Sequence, residues 1–190
     1  MKTINPTTEE SISEYERMTE TELDSIVREA NKAQDSWHRR SFAERAECLR
    51  NAADILTKRK QEFAELMANE MGKPLPQGES ESEKCAWVCN YYADNAEDFL
   101  ADEPIASDAE KSYLKYNPLG TVLAIMPWNF PFWQLFRFAA PALMAGNAAI
   151  LKHAPNVTGC AMAIEEVMHA AGIPKICFAR WWLMSIKPRS

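Results

Sequence analysis

The chain has no glycine-rich phosphate loop. Neither a G-x-G-x-x-G fingerprint nor a Walker lysine loop occurs in its 190 residues, which excludes those two ways of cradling a nucleotide. It also has no basic stripe: 21 Lys and Arg stand against 27 Asp and Glu, a formal net charge of −6. The bases are interleaved with acids, as in Glu44-Arg45 and Lys58-Arg59-Lys60-Gln61-Glu62, so the electrostatic footprint of nucleic-acid binding is missing. No apolar run is long enough to cross a bilayer, and Met1 to Glu20 holds no apolar stretch of the secretory type. Internal repeats and low-complexity segments are absent too. The five cysteines (Cys48, Cys85, Cys89, Cys160, Cys177) are odd in number and irregular in spacing. That argues against a disulfide framework and for a reducing compartment, so a cytoplasmic protein without membrane or nucleic-acid partners is expected. Cys85 and Cys89 stand at i, i+4 on an expected helix, and with no histidine nearby they suit buried thiols better than a metal pair.

What is present begins with helices. A hydrophobic share of 47% is that of a globular chain. Thr19 with Glu22, and Ser41 with Glu44, have capping-box spacing. After the first, Leu23, Ile26, Val27, Ala30, Ala33 and Trp37 recur at helical period. After the second, Ala46, Leu49, Ala53, Leu56, Phe63, Leu66 and Met67 predict one long amphipathic helix, stopped by Gly72 and Pro74. A further helix is expected from about Gly78 to Phe99, with Glu79, Glu81 and Glu83 near its amino end on a solvated face.

The character changes near Asp102. Ser112 to Tyr116 reads as a half-exposed strand, and Asn117-Pro118-Leu119-Gly120 as a turn. Thr121 to Met126 is a continuous apolar run, as in a parallel strand covered on both faces. A helical run from Phe132 to Ala148 is closed by Gly146, Ala148 to Leu151 forms the next strand, and Cys160 to Ala171 the next helix, closed by Gly172. The fold class is therefore α/β: N-terminal helices followed by the β-α-β-α start of a Rossmann-like parallel sheet, with a third parallel strand after Pro174. The expected segments are 1–100 (helical), 101–118 (strand segment), 119–175 (sheet) and 176–190 (tail).

In open α/β sheets ligands bind beyond the carboxyl ends of the strands. Two loops qualify here, Met126 to Asn129 and Lys152 to Pro155. A fixed amide at Asn129 is suited to stabilise an oxyanion, an effect worth about 10²–10³ in rate; a turn asparagine bonded to its own backbone is the alternative. Lys152 is either a ribose or phosphate ligand or a surface lysine at a strand end, and His153 beside it faces solvent in the expected arrangement. Arg137 is a lone cation between Phe136 and Phe138, so it pairs with a carboxylate inside the chain or on a ligand. Trp128, Phe132 and Trp133 serve as core or as a ligand wall.

Leu123-Ala-Ile-Met-Pro-Trp-Asn-Phe-Pro131, Ala-Pro-Ala-Leu-Met-Ala-Gly-Asn147 and Leu-Lys-His-Ala-Pro155 resemble the aldehyde dehydrogenase superfamily. Ile4-Asn-Pro6, Arg45-Ala46 and Met71-Gly-Lys-Pro-Leu75 extend the resemblance upstream, so that it covers about 1–175. The Lys-His-Ala-Pro-Asn-Val variant, with Phe-Trp-Gln before it, is most similar to bacterial succinate-semialdehyde dehydrogenases. The resemblance implies NAD(P)-dependent oxidation of a small-molecule aldehyde in a homo-oligomer. It makes Asn129 the oxyanion donor, puts Met126, Pro127, Trp128 and Asn129 along the cofactor, and gives Lys152 the adenosine ribose within the segment Lys152, His153, Ala154, Pro155. It assigns Arg137, with Trp133 beside it, to the substrate's distal carboxylate, and 112–116 to the oligomerisation region. Pro155 stands where many NAD-specific members carry glutamate, so NADP is favoured over NAD.

None of the five cysteines stands in the family's nucleophile motif, and its general-base glutamate and pyrophosphate turn are likewise unmatched. An inactive, truncated dehydrogenase is expected; the alternatives are a non-catalytic partner of a full-length paralogue and a nucleotide-binding remnant. After Lys175 the sequence leaves the family pattern. One possible coding of that stretch, with a single A restored to an adenine run, yields Lys-Asn-Leu-Phe-Arg-Thr-Leu-Val-Val, a strand of the family type. The Trp181-Trp182 pair alone forces a valine into that shifted frame. A single-base deletion is therefore expected, with a poorly packed tail; a continuous downstream frame without family sequence contradicts it.

Overall fold

The computed structural model describes residues 2–175 and 177–180. Strands β1 (Lys2–Ile4) and β2 (Ser11–Glu14) pair antiparallel and lead into helices α1 (Glu20–Trp37), α2 (Phe42–Lys58), α3 (Lys60–Met71) and α4 (Leu75–Phe99). A short antiparallel pair follows, β3 (Glu103–Pro104) with β4 (Tyr113–Leu114). Then come β5 (Thr121–Ile125), α5 (Trp133–Met144), β6 (Ala148–Lys152), a 3-10 turn (Pro155–Val157), α6 (Thr158–Ala170) and β7 (Phe178–Arg180). Strands β5, β6 and β7 form one parallel sheet in that order. The α/β class and the third parallel strand after Pro174 are thus as expected.

Both capping boxes form. The Glu22 carboxylate accepts the Thr19 N–H at 2.7 Å, and Glu44 accepts that of Ser41 at 2.7 Å. These bonds to the charged form hold both carboxyls below the usual range. The single long helix expected from Ala46 to Met67 is instead two, broken at Arg59 (φ −104°, ψ 15°). The periodicity survives the break because α2 and α3 both turn their apolar faces to α4. Arg59 fixes the corner through Glu62 and Glu166, at 2.6 and 2.7 Å.

Helix α4 starts at Leu75, earlier than expected, with Pro76 in its first turn, where a missing N–H costs nothing. Gly78 lies inside it because a Cβ there would meet Ala64 Cα at 2.8 Å. The strand expected over 112–116 shrinks to Tyr113–Leu114, paired only with Glu103–Pro104 and exposed.

The helix expected from Phe132 to Ala148 is shortened to Trp133–Met144. Gly146, at φ +87°, turns the chain out of it. Its carbonyl end is enclosed by buried donors: Trp37 Nε1 to Leu143 O at 2.9 Å, Arg45 Nε to Met144 O at 3.1 Å, and Asn147 Nδ2 to Ala142 O at 3.1 Å. These satisfy carbonyls that the helix itself cannot.

The expectation for 121–126 is corrected. β5 is not covered on both faces: Leu123 is 41% and Ile125 57% exposed, whereas Ala148 to Leu151 of β6 are all buried. β5 is the outer strand of the sheet, and among the described residues nothing packs on its Leu123–Ile125 face. At the other side of the sheet, Cys177, Phe178 and Ala179 are buried, so the first residues after the expected boundary at 175 enter the sheet. Phe178 and Ala179 belong to β7, which pairs with β6. Trp181 and Trp182 lie outside the described residues.

Candidate functional site

The tips of β5 and β6 lie side by side. Ile125 pairs with Lys152 in parallel register, and the Met126 N–H donates to the Lys152 carbonyl at 3.0 Å. The following loops are therefore neighbours, as a switch between parallel strands requires. His153 locks them together. It is 3% exposed; its Nε2 donates to the Pro131 carbonyl at 2.9 Å, and its Nδ1 accepts the Ala154 N–H at 2.9 Å. Those two bonds select one neutral tautomer, and burial pulls its pKa down to about 4. The expected solvent-facing His153 is thus corrected: its ring is an internal tie between the two loops.

Around that tie the other expected residues stay accessible. Trp128 is 51% exposed, Pro127 and Asn129 are exposed, and Met126 is half-buried against the core. Among the described residues the Asn129 amide makes no hydrogen bond, so it does not serve as a self-bonded turn asparagine. Lys152 and Ala154 are half-buried and Pro155 exposed, and Lys152 makes no ion pair among the described residues. The donor set, a lysine without an ion pair among the described residues, an open amide and an exposed indole, fits a phosphorylated nucleotide.

Helix α5 begins directly after this loop and is anchored from below. Glu81, on α4, is 4% exposed; one of its oxygens accepts the N–H groups of Phe132 and Trp133, each at 2.9 Å. The other oxygen pairs with buried Lys73, whose ammonium also sits 4.0 Å from the Phe130 ring centroid. This replaces the expected solvated role of Glu81. A carboxylate at a helix amino end is favoured by the dipole and by the orphan N–H groups, and pairing with Lys73 makes its burial tolerable. Glu70 repeats the device at α6, accepting from Gly159 and Cys160 N–H at 2.7 and 2.8 Å; burial outweighs those bonds and pushes its carboxyl up. Sequence patterning missed both glutamates. For Glu81 the available signal was a carboxylate one helical turn from the buried positions 78 and 85.

Phe132 belongs to the core, stacked between Phe63 and Phe136. Trp133 is half-buried and walls a cleft of about 450 Å³ with Phe130, Lys84, Gln77 and Pro76. Arg137, one helical turn beyond Trp133, is exposed and has no carboxylate partner among the described residues, so the internal pair is not what holds it. All five cysteines are free and buried. Burial pushes the Cys48, Cys85, Cys89 and Cys160 thiols up, and that of Cys177 up to about 11. Among the described residues no group of His, Cys, Asp or Glu is arranged to hold a metal, and no helix is long and apolar enough to cross a membrane.

The sequence pattern of the "Aldehyde dehydrogenase family" matches residues 1–179. A probable succinate-semialdehyde dehydrogenase [NADP(+)] of Synechocystis sp. is 51% identical over 176 residues, covering 93% of this chain and 39% of that protein. The structure of Gox0499, studied for its cofactor and substrate selection, superposes with a TM-score of 0.93 at 41% identity, over 96% of this chain and 40% of that one. Succinic semialdehyde dehydrogenase from Streptococcus pyogenes, solved with NADP+, gives a TM-score of 0.91 at 32% identity, over 96% and 40%. The chain therefore spans about two fifths of the length of the proteins it matches.

Proposed function

The chain belongs to the aldehyde dehydrogenase family, and from that premise we propose that it supplies the cofactor-side part of a site that oxidises succinate semialdehyde to succinate with NADP. The observation that carries this is the His153 tie, which holds the loop of Asn129 and the loop of Lys152 in fixed register at adjacent strand tips. NADP, when bound, is the oxidant of the reaction. Lys152 holds its adenosine ribose, Pro155 leaves room for a 2′-phosphate, and Met126, Pro127 and Trp128 form the wall along it. Asn129 directs its side-chain N–H at the carbonyl oxygen of the aldehyde, where negative charge develops when a nucleophile adds; a fixed donor at that point favours the transition state over the ground state. Arg137, with no carboxylate partner among the described residues, holds the distal carboxylate of the semialdehyde, and Trp133 packs against its carbon chain.

A thiolate nucleophile is not among these residues. The five thiols are buried and disfavour ionisation, and an unionised thiol in the core does not attack a carbonyl. We therefore propose that this polypeptide alone binds dinucleotide without turning over aldehyde. Quenching of tryptophan fluorescence by NADP+, reported by Trp128, is expected to saturate, to be weaker with NAD+, and to be lost in Lys152→Met. NADPH formation from succinate semialdehyde is expected to be absent. Unchanged quenching in Lys152→Met contradicts the nucleotide assignment, and NADPH formation by the purified chain contradicts the inactivity.

A further inference from the structure

The cleft walled by Trp133 and Phe130 contains a cation that none of the assigned roles uses. Lys84, on α4, places its ammonium 4.1 Å from the centroid of the Trp133 ring. Both residues line the cleft of about 450 Å³, whose remaining wall includes Phe130, the neighbour of Asn129. The acids of α4 nearest to Lys84 in sequence are engaged elsewhere. Glu81 is taken by Lys73, and Glu79 and Glu83 both face Lys60, at 3.7 and 2.5 Å. Among the described residues Lys84 forms no ion pair. Arg137 follows Trp133 by four positions on α5, which puts it on the same helical face one turn along. Lys84 of α4 thus lies over the Trp133 ring, and α5 carries a second cation, Arg137, one turn along from Trp133.

We propose that Lys84 is a second carboxylate-holding residue, and that Lys84 and Arg137 together select aldehydes carrying a distal carboxylate over uncharged aldehydes of equal length. The inference rests on the proposed semialdehyde site and adds to it a specificity residue on α4. Trp133 positions Lys84: a cation over an indole face is oriented by the ring quadrupole while staying available to an anion at its edge. An ammonium with no carboxylate of its own beside an apolar wall gains a charge-assisted hydrogen bond from an incoming carboxylate without breaking an internal pair.

The test uses the 190-residue chain and follows the Trp133 indole N–H by NMR while succinate semialdehyde or butyraldehyde is added. The wild type is expected to prefer the carboxylated ligand. Lys84→Met is expected to lower that preference about three- to tenfold, with butyraldehyde binding unchanged, and Lys84→Arg to keep most of it. If Arg137→Met abolishes the preference while Lys84→Met leaves it intact, the role of Lys84 is refuted and the semialdehyde site stands. If neither ligand moves the Trp133 signal in the wild type, the site itself is refuted along with the inference.

Discussion

Strands β5 and β6 have the same length, similar composition and adjacent places in one sheet, yet they are built in opposite ways. β6 is buried along its length and its tip is pinned by His153; β5 shows Leu123 and Ile125 to solvent, and its tip presents Trp128, Asn129 and Phe130. An apolar run specifies that a strand is apolar, and the topology decides how many of its faces are covered. The difference also separates two kinds of loop residue. His153, which ties the two loops together, is of one kind, and Trp128, Asn129 and Lys152, whose side chains remain accessible, are of the other.

The sharpest way to break this contrast is to remove what supports the open tip from below. Glu81→Ala leaves Lys73 as an unpaired buried charge and orphans the Phe132 and Trp133 N–H groups. A loss of about 3–5 kcal/mol is expected in chemical denaturation, whereas a loss below about 1 kcal/mol would show that the anchor is dispensable.

Next in size is a matched pair within the sheet. Leu151→Ala, in β6, is expected to cost about 2–5 kcal/mol. Leu123→Ala, in β5, is expected to cost under about 1 kcal/mol, because little packing is lost. Equal losses at the two positions would mean that the outer face of β5 is covered in solution.

The His153 tie has a pH signature. The unfolded chain takes up a proton at this residue near pH 6.5, the folded chain only at about 4. The unfolded state therefore binds more protons between those values. The stability that His153 contributes is complete above about 6.5, declines as pH falls through that window, and levels off below about 4. The decline amounts to about 3 kcal/mol. Measured against His153→Gln, the wild type should lose that much more stability on acidification; parallel pH profiles would place His153 in water.

The smallest expected effect concerns the open residues themselves. Asn129→Ala and Lys152→Met should each change stability by less than about 0.5 kcal/mol, since neither side chain has a hydrogen-bond or ion-pair partner among the described residues. A larger loss at either position would make that residue part of the scaffold.

Much of this was legible in the sequence, and the illegible parts share a cause. Thr19, Glu22, Ser41 and Glu44 announce their helices because a capping box is a local device, complete within four residues. The strand order and the two strand-tip loops follow from the β-α-β-α pattern, and Gly146 and Gly172 mark helix ends through positive φ. Glu70, Glu81 and His153 were not legible in the same way. Each satisfies a backbone group that is distant in sequence, such as Gly159 for Glu70 and Phe132 for Glu81, and only the folded chain brings them together. The break at Arg59 was hidden because α2 and α3 share α4 as a partner, so one apolar pattern runs through both. The exposed face of β5 was hidden because sequence carries no record of which neighbour is present.

The central claim is that Asn129 and Lys152, held at adjacent strand tips, form one face of a dinucleotide site. Backbone NMR of the chain titrated with NADP+ tests it most directly. Shifts are expected to concentrate at Met126 to Asn129 and Lys152 to Pro155 and to diminish in Lys152→Met. Shifts confined to other parts of the molecule, or none at saturating nucleotide, would contradict it.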